Sequence, residues 1–134
     1  MDKIEHIGIA VHNLEKANVM YAALLGVEHY KIEEVASEGV RTSFFKVGES
    51  KIELLEATSK ESPIAKFLAK KGEGIHHIAY AVEDIHAAMQ DLAEKGFTLL
   101  NQEPKKGADN KWVAFLHPKT AGGVLVELCA ERVD

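Results

Sequence analysis

Cysteine is almost missing from this chain: Cys129 is the only one in 134 residues. A lone thiol excludes an internal disulfide and any zinc or iron–sulfur centre built from several cysteines, and it suits a reducing compartment. Proline is scarce as well, with three residues, and tryptophan occurs once. No stretch approaches the roughly 18 apolar residues of a membrane span. Met1 is followed at once by Asp2, Lys3 and Glu5, so a secretory leader is not expected. Positive charge is in deficit too. Sixteen Lys and Arg face 21 Asp and Glu, a net charge of −5, and no basic patch is interleaved with aromatics. Neither nucleic acid nor a membrane is an expected partner. The composition is ordinary, 46% hydrophobic and 28% charged, and the expectation is a cytoplasmic protein. One domain of this size buries about two thirds of its unfolded surface, so it needs no disulfide staple.

What is present is written twice. His6-Ile7-Gly8-Ile9-Ala10-Val11 returns as His77-Ile78-Ala79-Tyr80-Ala81-Val82, and Asn13-Leu14-Glu15-Lys16-Ala17 returns as Asp84-Ile85-His86-Ala87-Ala88. Each copy continues into an amphipathic helix, about 14–25 and 84–95. Leu14, Ala17, Tyr21 and Leu24–Leu25 make one apolar stripe; Ile85, Ala88, Met89 and Leu92 make the other. Asn13 and Asp84 stand at the N-cap positions, and Gly26 and Gly96 at the ends. Three strand-like runs follow each helix, about 27–35, 40–47 and 50–56, then 97–102, 111–117 and 123–129. The pattern predicts an α+β fold of two tandem βαβββ modules in a single domain, 1–134. Module one covers about 1–57, module two about 74–134. The connector between them, about 58–73, carries Pro63 and a short helix over 64–71.

Strand side chains alternate between faces, so parity separates the residues that pack from those that do not. Ile7, Ile9 and Val11 share the face suited to the helix, whereas His6 shares the other with Gly8 and Ala10. Ile78, Tyr80 and Val82 repeat the first set, and His77, Ala79 and Ala81 the second. In both copies a histidine is followed on its own face by very small residues, which leaves it room to reach a ligand. The last strand of each copy sets a carboxylate among apolar neighbours, Glu53 between Ile52 and Leu54, and Glu127 between Val126 and Leu128. Burying an ionised carboxylate without a partner costs several kcal/mol. A cation is the economical explanation. Two imidazoles and two carboxylates, His6, Glu53, His77 and Glu127, make a donor set that suits Co, Zn, Ni, Mn or Fe(II) better than calcium.

The remaining histidines have plainer roles. His76 faces away from His77 and packs or caps, His12, His29 and His86 belong to the surface, and His117 precedes Pro118 in a turn. Cys129 has the parity of Glu127 and reads as a small buried thiol, and Trp112 as packing.

The duplicated modules with their His/Glu pairs resemble the vicinal oxygen chelate superfamily, also called the glyoxalase/bleomycin-resistance fold. Within it they resemble the methylmalonyl-CoA epimerase family. The stretches Gly72-Glu73-Gly74-Ile75-His76-His77 and Phe115-Leu116-His117-Pro118-Lys119 carry that narrower likeness, together with Gly122-Gly123-Val124-Leu125-Val126-Glu127. The resemblance implies curved mixed sheets around one divalent metal held by His6, Glu53, His77 and Glu127. By the same resemblance the ion is Co2+, with Zn2+, Mn2+, Ni2+ or Mg2+ as alternatives. It further implies a homodimer and a CoA-thioester substrate, with (2R)- and (2S)-methylmalonyl-CoA interconverted through a metal-stabilised enolate.

Inversion at C2 needs acid–base groups on both sides of the substrate. Glu127 is one by resemblance and by its enclosed strand. Glu53 is the other by its matching place in the repeat. Some members of the family place a second glutamate three residues beyond the glycine of the Gly39-Val40 pair, where this chain has Thr42; Glu38 is a fallback. Lys105, Lys106, Lys111 and Lys119 could meet the CoA phosphates. A glyoxalase I-type lactoylglutathione lyase uses the same donor set and is the nearest alternative; a metal-free binding protein does not need both His/Glu pairs.

Overall fold

A computed structural model describes residues 1–133. Strand β1 (Lys3–Ala10) leads into helix α1 (Leu14–Leu25), followed by β2 (Lys31–Val35), β3 (Val40–Val47) and β4 (Ser50–Ala57). Helix α2 (Pro63–Lys71) precedes β5 (Gly74–Ala81), helix α3 (Ile85–Glu94), β6 (Lys105–Gly107), β7 (Lys111–Leu116) and β8 (Val126–Glu131). The class is α+β, with βαβββ written twice. The chain forms two compact units: His6–His76, and residues 1–5 together with those from His77 onward. Among the described residues no helix is long and apolar enough to cross a membrane.

In the first unit the strands run in the order β2-β3-β4-β1, with β1 parallel to β4 and the other neighbours antiparallel. Asn13 caps α1 by accepting the Lys16 N–H at 2.9 Å, and Gly26 closes it at φ 73°, a backbone region costly for other residues. A second fastener comes from β4. The Glu56 carboxylate accepts the Leu14 N–H at 2.8 Å, and Arg41 lies 2.9 Å from Glu15 and 3.5 Å from Glu56. The hydrogen bond that Arg41 donates to Glu15 is the main reason that its guanidinium is held above its ordinary pKa.

Leu14 and Ala17 of α1 pack with Val11, Phe45 and Leu54 in one core cluster. Leu24 departs from expectation. It is 68% exposed, and Leu25 alone continues the stripe inward. His29 departs as well, since its ring packs edge-on against Phe45 at 5.9 Å. Phe45→Ala is expected to cost about 3–5 kcal/mol of stability, read from urea unfolding. Phe45 pairs with Ile52 and so points away from Glu53, which leaves the chemistry of the folded fraction intact.

The second unit repeats the order as β5-β8-β7-β6, again with a parallel inner pair, β5 with β8. Asp84 caps α3 through the Ala87 N–H at 3.0 Å. Val82, Ile85, Met89, Ala114, Leu128 and Ala130 form the core under that helix. The expected strand over 97–102 is not formed. Leu99 makes only an isolated bridge to Leu116, and the paired strand is the short Lys105–Gly107. The last strand begins at Val126 rather than near 123, because Gly122 and Gly123 adopt φ 70° and 88° and turn the chain first.

Candidate active site

On β1 the side of His6 carries Gly8 and Ala10, and the register sets Gly8 directly opposite Glu53 of β4. On β5 the side of His77 carries Ala79, and Ala79 stands directly opposite Glu127 of β8. The two modules thus solve one geometric problem alike. A residue with little or no side chain faces the carboxylate, and the histidine two positions earlier reaches it diagonally.

His6 Nδ1 lies 3.0 Å from Glu53 Oε2, with the residues 4% and 6% exposed. His77 Nε2 lies 3.2 Å from Glu127 Oε1, with the residues 6% and 5% exposed. Opposite ring nitrogens therefore meet the carboxylate in the two modules. Each pair offers imidazole nitrogen and carboxylate oxygen in a buried setting, which is the donor chemistry that a divalent transition metal takes.

Two further partners surround Glu127. The Cys129 thiol donates to its Oε2 at 2.7 Å, so the buried cysteine anticipated from the sequence also holds a carboxylate. Phe115 stands opposite Glu127 across the β7–β8 pair, and its ring meets His77 edge-on with centroids 6.1 Å apart. Phe44 stands opposite Glu53 in the same way. The sequence held signals for both: Cys129 shares the parity of Glu127, and Phe44 and Phe115 are as far apart as His6 and His77.

Thr42 is 1% exposed and lies on the Glu53 side of β3, so it offers a hydroxyl but no carboxylate there. Glu38 ends the short 3-10 helix Ala36–Glu38. His76 packs edge-on against Phe67 at 5.0 Å, and His117 Nδ1 accepts the Lys119 N–H at 3.0 Å. Lys111 is withdrawn from the cations available to a CoA tail. It is 9% exposed, ion-paired to Glu131, and 3.9 Å from Glu5.

Residues 5–115 match the model of the Glyoxalase/Bleomycin resistance protein/Dioxygenase superfamily. Human mitochondrial methylmalonyl-CoA epimerase is 44% identical over 129 residues, 96% of this chain and 73% of the human one. The ethylmalonyl-CoA/methylmalonyl-CoA epimerase of Cereibacter sphaeroides is 46% identical over 128 residues, 94% of this chain and 96% of its own. Among solved structures, a variant of Streptomyces coelicolor methylmalonyl-CoA epimerase in complex with 2-nitronate-propionyl-CoA superposes with a TM-score of 0.95. It is 39% identical and is matched over 99% of both chains. With its duplicated modules, its paired His and Glu and relatives matched along nearly their whole length, this chain belongs to the glyoxalase/bleomycin-resistance/dioxygenase superfamily and, within it, to the methylmalonyl-CoA epimerase family.

Proposed function

We propose that this chain is a methylmalonyl-CoA epimerase in which His6, Glu53, His77 and Glu127 together hold one divalent metal ion. The observation that carries the reading is the pair of buried His–Glu contacts, at 3.0 and 3.2 Å, at equivalent positions of the two modules. Relatives named as epimerases favour this activity over a glyoxalase I-type lyase or a metal-free binding protein. Cobalt is the ion we favour, on the family likeness; the donor set also accepts Zn2+, Mn2+ or Ni2+. A homodimer is part of the same proposal.

When bound, such an ion supplies electrostatic stabilisation for the negative charge that develops on the thioester oxygen as the C2 proton leaves. The residues of the chain do the rest. C2 inverts when a proton is taken from one face and returned to the other. Glu127, held by His77 and the Cys129 thiol, is one proton acceptor. Glu53, its counterpart in module one, is the other.

The test is proton NMR of one epimer of methylmalonyl-CoA in D2O, with the cobalt-loaded protein and with protein treated with EDTA. Loss of the C2 proton signal together with growth of the other epimer is expected only with metal. No exchange with metal bound would sink the reading, and a hemithioacetal assay would then take its place. Glu53→Gln is expected to slow exchange from one epimer by roughly a hundredfold or more, the range of a lost general base. Equal, wild-type exchange from both epimers would remove Glu53 from the proton path.

A further inference from the structure

The two modules differ most where their first helices face outward. Val19, Met20, Ala23 and Leu24 of α1, with Val27 just beyond it, are exposed, Val19 at 73% and Leu24 at 68%. The matching positions of module two, 71 residues on, are Gln90, Asp91, Glu94, Lys95 and Thr98. They are exposed as well, and Lys95 and Asp91 form an ion pair at 2.9 Å. Every outward position is thus polar on α3 and apolar on α1. The inward faces show no such contrast. Leu14, Ala17, Tyr21 and Leu25 pack into one core, and Ile85, Ala88, Met89 and Leu92 into the other.

A helix apolar on every side is characteristically a buried one. In the single chain α1 is covered on one side only. Ile32 of the edge strand β2 adds to the open area: it is 44% exposed and faces the α1 side of the sheet, in the row of Ser43 and Leu54. At roughly 100 Å² for a fully exposed large side chain, these residues present on the order of 300 Å² of apolar surface. A standard interface buries about 800 Å² on each partner, somewhat more than half of it apolar. The stripe has the size of the centre of such an interface.

Charge selects the occupant. Residues 17–27 carry no charge, whereas Lys16 stands at one end of the stripe and Glu28 at the other, both exposed. A second copy of a chain with net charge −5 is repelled at long range, and this stripe offers it a contact without like charge. Laid antiparallel about a two-fold axis, the stripe sets Met20 and Leu24 of one copy against Leu24 and Met20 of the other. Ala23, between them, is small enough for the helix axes to come close. The same arrangement brings Lys16 of each copy towards Glu28 of the other.

We propose that the outer face of α1, with Val19, Met20, Ala23, Leu24 and Val27, is the surface through which two copies of this chain pair, antiparallel about a two-fold axis. This rests on the homodimer reading and is independent of the chemistry at the His and Glu pairs. The experiment is sedimentation velocity of the metal-loaded protein over a wide concentration range. Wild type is expected to sediment as a dimer. Val19→Gln/Leu24→Lys gives α1 the residues that α3 carries as Gln90 and Lys95, so the helix tolerates them, which circular dichroism checks. It is expected to weaken self-association roughly a hundredfold or more, because it sets an unpaired charge at the centre of the contact. Lys16→Glu is expected to weaken it roughly tenfold, and Lys16→Glu/Glu28→Lys to recover wild-type association, since exchanging both ends restores the attraction. Should the central variant lose its helix signal, this charge exchange carries the test. Gln90→Lys, on the equivalent helix, leaves association unchanged. A dimer untouched by Val19→Gln/Leu24→Lys overturns the surface and leaves the homodimer standing; a wild type that stays monomeric overturns both. An exchanged variant as weak as Lys16→Glu overturns the antiparallel arrangement. Failure of the epimerase reading looks different: the protein dimerises through α1, and no C2 proton exchanges.

Discussion

Glu127→Gln is expected to lower kcat for C2 proton exchange by about a thousandfold, within the range that a lost general base produces. Glutamine keeps the shape of the side chain and can still receive the hydrogen bond from the Cys129 thiol, which sits 2.7 Å from Oε2 in the native protein. It cannot accept a proton from carbon at neutral pH, and it removes one negative charge from the donor set. Two effects are thereby combined, and metal content separates them. The variant should be assayed with cobalt in excess and its bound metal measured. A fully loaded variant that is still a thousandfold slow places the loss in proton transfer. Exchange within tenfold of wild type, with metal bound, would show that Glu127 only holds the ion.

Removing the metal is the second large effect. EDTA treatment followed by desalting is expected to abolish epimerisation and to lower the melting temperature, and added Co2+ should restore both. An ion bound only by the folded state stabilises it by about 4 kcal/mol at a thousand times its Kd. In a domain of this size that corresponds to roughly 10 °C or more. The shift should be large because His6, Glu53, His77 and Glu127 are each 4–6% exposed. Water offers such groups little compensation, so a cation is their best partner. Protein shown by elemental analysis to be metal-free, yet fully active, would exclude the four-residue centre.

The repeat made most of this fold readable. Asn13 and Asp84 identify helix starts because a short polar side chain can accept the third N–H of the helix, and both do. The parity rule located the histidines beside glycine and alanine, and the register supplies the reason, since those small residues are the ones opposite the glutamates. What pattern could not give is cross-strand register, which depends on turns. The run 97–102 has the composition of a strand, but Asn101 uses its side chain to accept the Phe115 N–H at 2.8 Å, and full pairing with β7 begins only at Lys105. The burial of Lys111 escaped for a similar reason. Its partners, Glu5 and Glu131, are distant in sequence and meet it only through tertiary pairing. Lys105, read from the sequence as a candidate for the CoA phosphates, is set over Phe115 by the same strand pairing.

Parallel pairing inside each module governs the order in which the molecule can assemble. β3 and β4 meet through the two-residue connection between Val47 and Ser50, so their contact closes a small loop and can form early. β1 reaches β4 only after a helix and two strands have been traversed, and that closure carries a much larger entropy cost before any contact repays it. His6 rides on the strand that arrives last, and Glu53 on one that waits. On that order the carboxylate takes its place beside β3 before its imidazole arrives, and the His6–Glu53 pair at 3.0 Å is complete only when β1 docks on β4.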